Sequence, residues 1–321
     1  MTRTGSRRRR AAEPWDALVV GGGPAGLSAA LVLGRCLRRV LVCDAGPKRN
    51  QASGALHGFL SRDGLPPREL LRLARLQLRP YATVVQRAVR VLAVERRGRL
   101  FSATLAGGRR VTARRVLLAT GVVDDLPDWP GLRRFYGRGV FHCPYCDAYE
   151  VRGRRIAVWG ETPAAAGLAV KLRSWSAQVV LLTGGAYPLS GRRRARLADQ
   201  GVRVVEPAVI RLEGRGRTLG RVRLADGSAL PCDALFLSVP CRQACDLARR
   251  LGCRFVKGSA VAVRRSGGTA VPGLFVAGDA SVDSQMVVVA AAEGARAAIA
   301  INEELLAEDA AGRATEKRSR S

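Results

Sequence analysis

Cys143 and Cys146 flank the pair Pro144-Tyr145, and an acid, Asp147, follows directly. Two thiols separated by two residues can close a small disulfide and reopen it, the minimum for two-electron thiol chemistry. Pro144 suits the first position of a helix. That would leave Cys143 at the helix N-terminus, where the macrodipole and free N–H groups stabilise a thiolate. Cys143 is therefore expected to be the attacking or attacked sulfur, with Asp147 shuttling the proton that thiol–disulfide exchange must move. The only two histidines, His142 beside the dithiol and His57 far upstream, are the other candidates for that proton.

The same spacing can be half of a zinc site, but zinc normally takes a second Cys/Cys or Cys/His pair. Cys36, Cys43, Cys232 and Cys253 stand singly, and Cys241 and Cys245 are expected one helical turn apart as reduced bystanders. A His142/Cys143/Cys146 cluster has no second ligand pair to complete it. A redox dithiol is the favoured reading, and no metal is expected.

Such a dithiol must be held against an electron carrier, and the chain supplies the elements to hold one. Residues 16–20 form an apolar strand that ends in Gly21-Gly22-Gly23-Pro24-Ala25-Gly26 and continues as a helix over 27–34. In that context Gly21 makes the tight turn, Gly23 lets the backbone approach a pyrophosphate, and Gly26 lets helix and strand pack closely. A second strand over 40–43 ends at Asp44, where a ribose hydroxyl would be held. The irregular stretch 45–67, carrying Arg49-Asn50, His57-Gly58-Phe59 and Arg62-Asp63-Gly64, is expected to cover a cofactor.

A helix over 68–78 follows, then alternating segments over 83–94, 100–105 and 111–118 that read as an antiparallel meander returning at Ala119-Thr120-Gly121. Near the C-terminus a strand ends at Gly278-Asp279, placed for a ribityl or ribose hydroxyl. Gln285 and Met286 stand at the start of a helix expected over 284–308, facing a flavin ring.

A second strand–turn–helix begins at 155–159, yet its turn reads Gly160-Glu161-Thr162-Pro163. Thr162 replaces the middle glycine and its Cβ would crowd a pyrophosphate, while Glu161 adds a negative charge. After the next strand, 178–182, comes Thr183-Gly184-Gly185, with no arginine where a 2′-phosphate would be gripped. Arg192, Arg193, Arg194 and Arg196 lie further on and read as the solvated face of a short helix.

At 321 residues the chain can bury a large core and divides more readily into two domains than one. Net charge is +28 from 54 basic and 26 acidic residues, and all but four of the basic ones are arginine spread over every segment. No aromatic interleaving or helix-turn-helix gathers them on one face, so nucleic acid is not an expected partner. No apolar run is long enough to span a bilayer, and Arg7 to Arg10 precede too short an apolar stretch for an export signal. The reading is a cytoplasmic protein with a disordered basic leader over 1–13 and a disordered tail over 310–321.

With these residues together, from about Asp16 to Leu306, the chain resembles the low-molecular-weight thioredoxin reductase family. The matching features are Gly21 to Gly26, Ala119-Thr120-Gly121, Gly137-Arg138-Gly139-Val140 leading into the dithiol with Asp147 behind it, and Gly278-Asp279. The resemblance implies an α/β fold of two Rossmann-like dinucleotide-binding domains. An FAD domain (14–122 and 243–309) would be interrupted by a smaller pyridine-nucleotide-type insert (123–242) carrying the dithiol, in a homodimer.

The departures at Thr162 and Thr183 make the sequence more similar to the branch that lost NADPH use, FAD-dependent dithiol oxidases of small natural products. That implies a small-molecule dithiol as substrate and electrons passing through Cys143, Cys146 and FAD to O2, giving H2O2. Two further readings stay open. One is an NADPH-dependent thioredoxin reductase acting on thioredoxin, its nucleotide site rebuilt from Arg192 to Arg194. The other, which the intact dithiol and Asp147 disfavour, is a non-enzymatic flavoprotein redox sensor or nucleic-acid binder.

Overall fold

The computed structural model describes residues 13–256, 261–281 and 284–319. The leader expected over 1–13 lies, apart from Glu13, outside them. β1 (Trp15–Val20) buries Ala17, Leu18, Val19 and Val20 in succession, the pattern of a strand covered on both faces. The chain turns at Gly21 into α1 (Pro24–Arg35), returns as β2 (Val40–Cys43) parallel to β1, and after the long loop forms α2 (Pro67–Gln77).

β3 (Val84–Arg87) then lies parallel to β2, while β4 (Val91–Arg97), β5 (Leu100–Leu105) and β6 (Arg110–Leu118) make the antiparallel meander. The stretch 83–94, expected as one meander segment, is thus two strands. Val84 to Arg87 have an open parallel edge to fill on β2, and a turn with Val89 N–H on the Arg87 carbonyl separates them from β4.

β7 (Val122–Asp124) leads out of this sheet into the insert. There α3 (Leu132–Phe135), β8 (Val140–Phe141), α4 (Pro144–Asp147), β9 (Ile156–Trp159), α5 (Ala164–Leu172), β10 (Val179–Leu182), α6 (Gly191–Asp199) and β11 (Val202–Val205) follow in turn. β12 (Val209–Arg215), β13 (Thr218–Leu224) and β14 (Ala229–Pro231) form a separate antiparallel sheet. β15 (Ala234–Leu237) completes a parallel one in the order β11-β10-β9-β15-β8.

The chain leaves the insert through β16 (Cys241–Gln243), which pairs antiparallel with β7, so the two crossings make one narrow ribbon. Cys241 is therefore on a strand and not one helical turn from Cys245, because the pairing with β7 holds it extended. α7 (Leu247–Arg250) and β17 (Leu274–Val276) restore the first sheet, with β17 parallel to β6.

α8 (Val287–Ser319) ends the chain, starting later than expected and running beyond the expected end at Glu308 into the stretch read as a disordered tail. Ala310, Ala311, Arg313 and Ala314 are strong helix formers with no proline among them. The turn before them is tied down: Asp309 to Arg38 at 2.8 Å, and Glu308 to Arg114 at 3.0 Å.

Apolar layers cover both faces of each large sheet. α1 and α8 cross so closely that a Cβ on Gly294 would stand 2.0 Å from the Ala25 carbonyl oxygen. Among the described residues no helix is long and apolar enough to cross a membrane.

Candidate active site

Strand register builds the first part of the site. Val20 is level with Cys43 and Leu118, and Leu118 with Val276. Gly21, Asp44, Ala119 and Ala277 therefore emerge together along one sheet edge, the carboxyl end where open α/β sheets bind ligands. Gly21 has φ +112°, and a Cβ there would lie 2.2 Å from the Ala119 carbonyl oxygen; one on Gly26 would lie 1.9 Å from that of Gly21. Gly23, the N-cap of α1, instead faces open space with no protein atom within 4 Å of an added Cβ, and no side chain caps the helix. With Pro24 at the first position, the N–H groups of Ala25 and Gly26 stay available to an anion.

The Asp44 carboxylate is held by Lys48 and by Arg75 at 3.0 Å. Burial opposes its ionisation, yet these cations and the Gly22 backbone keep it below the usual carboxylate range, so it is an acceptor for a hydroxyl. Thr120 and Gly121 continue the edge beyond Ala119, and Gly278 (φ +80°) donates its N–H to Glu293 at 2.8 Å. Asn50 accepts from the Ser53 N–H through its carbonyl, and its side chain makes no hydrogen bond to the described residues.

The dithiol sits on α4. Cys143 is its N-cap in extended conformation and Pro144 fills the first position, the arrangement expected from the residue types. Cys143 and Cys146 form a disulfide across a Cα separation of 5.3 Å, and the Cys146 N–H points at the Cys143 sulfur at 3.2 Å. Asp147 is half-buried. Burial, helped by the nearby Glu150 and opposed by His57, pushes its carboxyl up to about 7, so both forms are populated near neutrality. Tyr145, between the two sulfurs in sequence, is 62% exposed, edge-on to Trp175 and under the Lys171 ammonium.

The two bodies meet at the dithiol. His57, from the loop after β2, lies 3.6 Å from Glu150 and 3.4 Å from Asp63. A Cβ on Gly137 would strike the Ser53 nitrogen at 2.7 Å.

Sequence reasoning missed the hub between cradle and dithiol. Arg49 forks onto Asp124, with Nε to Oδ2 at 2.9 Å, reaches Asp279 at 3.1 Å, and also donates to Gln285. Asp124 accepts from the Tyr136 hydroxyl at 3.1 Å, and that hydroxyl is 3.0 Å from His142 Nδ1. Asp279, Gln285 and His142, assigned separately from sequence, are thereby joined through residues not assigned to the site. The available signals were the Arg49-Asn50 dipeptide in the cofactor-covering loop and an acid closing the strand Val122-Val123.

Burial opposes the ionisation of Asp124, but the Arg49 bonds, the charge nearby and the Tyr136 hydroxyl hold it below the usual range. Burial lowers the affinity of His142 for a proton. Asp124 counteracts this and Arg49 adds to it, with the balance favouring neutral imidazole.

The second unit keeps the tight turn: a Cβ on Gly160 would lie 2.8 Å from the Ser238 carbonyl oxygen. Its mouth is different. Glu161 and Thr162 are exposed where the first unit has bare backbone, and β10 is followed by buried Thr183, then Gly184 and Gly185. In the loop that follows, the Tyr187 hydroxyl is buried without a hydrogen-bond partner among the described residues. Arg192, Arg193 and Arg196 are exposed on α6, and Arg194 pairs with Glu206 at 2.6 Å.

A dinucleotide cradle facing a disulfide carried on a second Rossmann-like unit defines an oxidoreductase of disulfides. The family profile described as pyridine nucleotide-disulphide oxidoreductase matches residues 15–295, and the chain belongs to this family. It is similar to the thioredoxin reductase sirT of Leptosphaeria maculans, 30% identical over 93% of this chain and 97% of that one. The thioredoxin reductase tcpT of Claviceps purpurea is 31% identical over 82% and 86%. The crystal structure of HlmI superposes with a TM-score of 0.91 at 37% identity, covering 96% of this chain and 98% of that one. Thioredoxin reductase-like members of the family are FAD flavoproteins, and the open Gly23 turn, the uncapped α1 terminus and the Asp44 acceptor fit that cofactor.

Proposed function

We propose that the chain is an FAD-dependent dithiol oxidase. It closes an intramolecular disulfide in a small-molecule dithiol of the dithiolopyrrolone or epidithiodiketopiperazine type and passes the electrons to O2, giving H2O2. The observation that carries this reading is the second unit, which retains the strand–turn–helix but sets Glu161 and Thr162 at its mouth and no cation at the end of β10. A negatively charged nicotinamide dinucleotide gains little there, so the electrons enter from thiols.

A substrate thiolate attacks the Cys143 sulfur; the Cys143–Cys146 bond breaks and Cys146 leaves as thiolate. The second substrate thiol attacks the substrate sulfur of the mixed disulfide, releasing the cyclic product and a reduced dithiol. The exposed face at Tyr145 gives the substrate its approach, and Asp147 and His142 take up thiol protons. FAD, which Gly21 to Gly26, Asp44 and Asp279 would hold, would supply the two-electron acceptor between the dithiol and O2.

Anaerobic mixing tests the reading. A reduced dithiolopyrrolone should bleach the flavin while micromolar NADPH leaves it oxidised; rapid bleaching by NADPH would overturn the reading. That second result belongs to an NADPH-dependent thioredoxin reductase with thioredoxin as partner, which the names of the relatives and the free arginines on α6 favour.

A further inference from the structure

Each turnover takes protons from thiols, and an acceptor is efficient only if it is unprotonated and correctly oriented before the thiol arrives. Asp124 is ionised and can only accept hydrogen bonds, and the single proton of the Tyr136 hydroxyl is shared between two neighbours, Asp124 Oδ2 at 3.1 Å and His142 Nδ1 at 3.0 Å. If that proton turned toward His142, the carboxylate would face oxygen lone pairs. Directed to Asp124, it leaves the Tyr136 oxygen as an acceptor, and His142 Nδ1 must then carry hydrogen. His142 Nε2 has no partner among the described residues, so its lone pair is free.

We propose that Asp124 and Tyr136 are positioning residues that lock His142 in the Nδ1–H tautomer, making Nε2 the proton acceptor beside the Cys143–Cys146 pair. The inference deepens the dithiol-oxidase reading and rests on it for the identity of the thiol. In the step itself the S–H bond of the incoming thiol breaks and an Nε2–H bond forms. The electron pair stays on sulfur, and the new imidazolium charge lies two hydrogen bonds from the Asp124 carboxylate. No further oxidant or reductant enters.

The charged and titratable groups facing this chain are Arg49 and Asp279 from the cradle side, with Asp147 reaching Tyr136 from α4. Arg49 is the element that keeps Asp124 ionised and joins it to Asp279 and Gln285. The four members come from different places: the loop after β2, β7, the turn after α3, and the residue before Cys143. The Asp124–Tyr136–His142 chain lies within the insert, and docking on the cradle adds the Arg49 fork to it.

Because the chain has only two histidines, the tautomer can be read directly. The FAD-loaded protein would be labelled with 15N-histidine and long-range 1H–15N correlations recorded, with His57→Asn assigning the signals. The expected result at neutral pH is a protonated Nδ1 and a bare Nε2 on His142.

Tyr136→Phe should move His142 toward the Nε2–H form. It should also slow anaerobic flavin reduction by dithiothreitol about tenfold, less than the roughly hundredfold or more that a lost general base costs. The acid limb of that rate should shift to lower pH, because the imidazolium has lost its acceptor, with FAD stoichiometry unchanged. An Nε2–H tautomer in the unmodified protein, or a Tyr136→Phe protein with tautomer and acid limb unmoved, would overturn the proposal. The tautomer readout needs neither oxygen nor the natural substrate, so it succeeds or fails separately from the oxidase reading.

Discussion

Each half of the molecule opens on the same device, a buried apolar strand, a glycine turn and a helix, and the two copies have met different fates. At the first, Gly21 and Gly26 fix a turn into which no Cβ fits and Gly23 leaves bare backbone over empty space. At the second, Gly160 still fixes the turn, but Glu161 and Thr162 occupy the mouth and Tyr187 fills part of the loop after β10. Folding requires only the tight positions, because they decide whether helix and strand can pack. Binding requires the open one. The second unit keeps the tight turn that packing needs and carries side chains where the first has bare backbone, while α4 beside it carries the sulfurs.

The comparison can be broken most directly at those sulfurs. Cys146→Ser is expected to cut dithiol turnover by about a thousandfold or more while FAD stays bound, because no other pair can carry two electrons to the flavin. Turnover near normal would reduce the second unit to a scaffold.

Next in size is Gly23→Val. No protein atom lies near the added side chain, so far-UV circular dichroism should match the parent, while FAD affinity falls about a hundredfold as the cradle closes. A protein that keeps its flavin through this change would remove the contrast between the two turns.

Asp147→Asn gives a smaller effect with a defined sign. The folded carboxyl titrates near 7 against an ordinary 3.8, so the fold penalises its charge. The associated stability is full below pH 3.8 and is lost as pH rises through 7. Asparagine has no such loss. The melting temperature of the variant relative to the parent should rise by about 2–4 °C between pH 4 and pH 8, a figure kept small for a half-exposed group. A difference that stays constant with pH would show that Asp147 is not held neutral.

Smallest is Thr162→Gly. Restoring bare backbone at the second mouth, with no cation at the end of β10, should leave flavin reduction by NADPH within about twofold of background. A large gain would show that this one side chain separates the two units.

The glycine turns, the strand ends at Asp44 and Asp279, and Cys143 as a helix N-cap were legible in the sequence because each is a local demand of backbone geometry. The Arg49 hub was not, since Arg49 and Asp124 lie 75 residues apart and meet only through the docking of two bodies. Local pattern also merged β3 with β4, as only the free parallel edge of β2 separates their fates. It stopped α8 too early because the ion pairs that anchor Asp309 come from Arg38 and Arg114, remote in the chain. Cys241 and Cys245 have helical spacing, but the partner strand β7 overrides it.

A ribbon of two three-residue strands, β7 against β16, would by itself make a loose pivot. Arg49 turns it into a latch. To swing the insert away, Asp124, whose side chain is only 6% exposed, would have to surrender the guanidinium fork that spans the two bodies. Ribbon and fork together fasten insert and cradle at two neighbouring points, Val122 to Asp124 against the returning strand and Asp124 against Arg49.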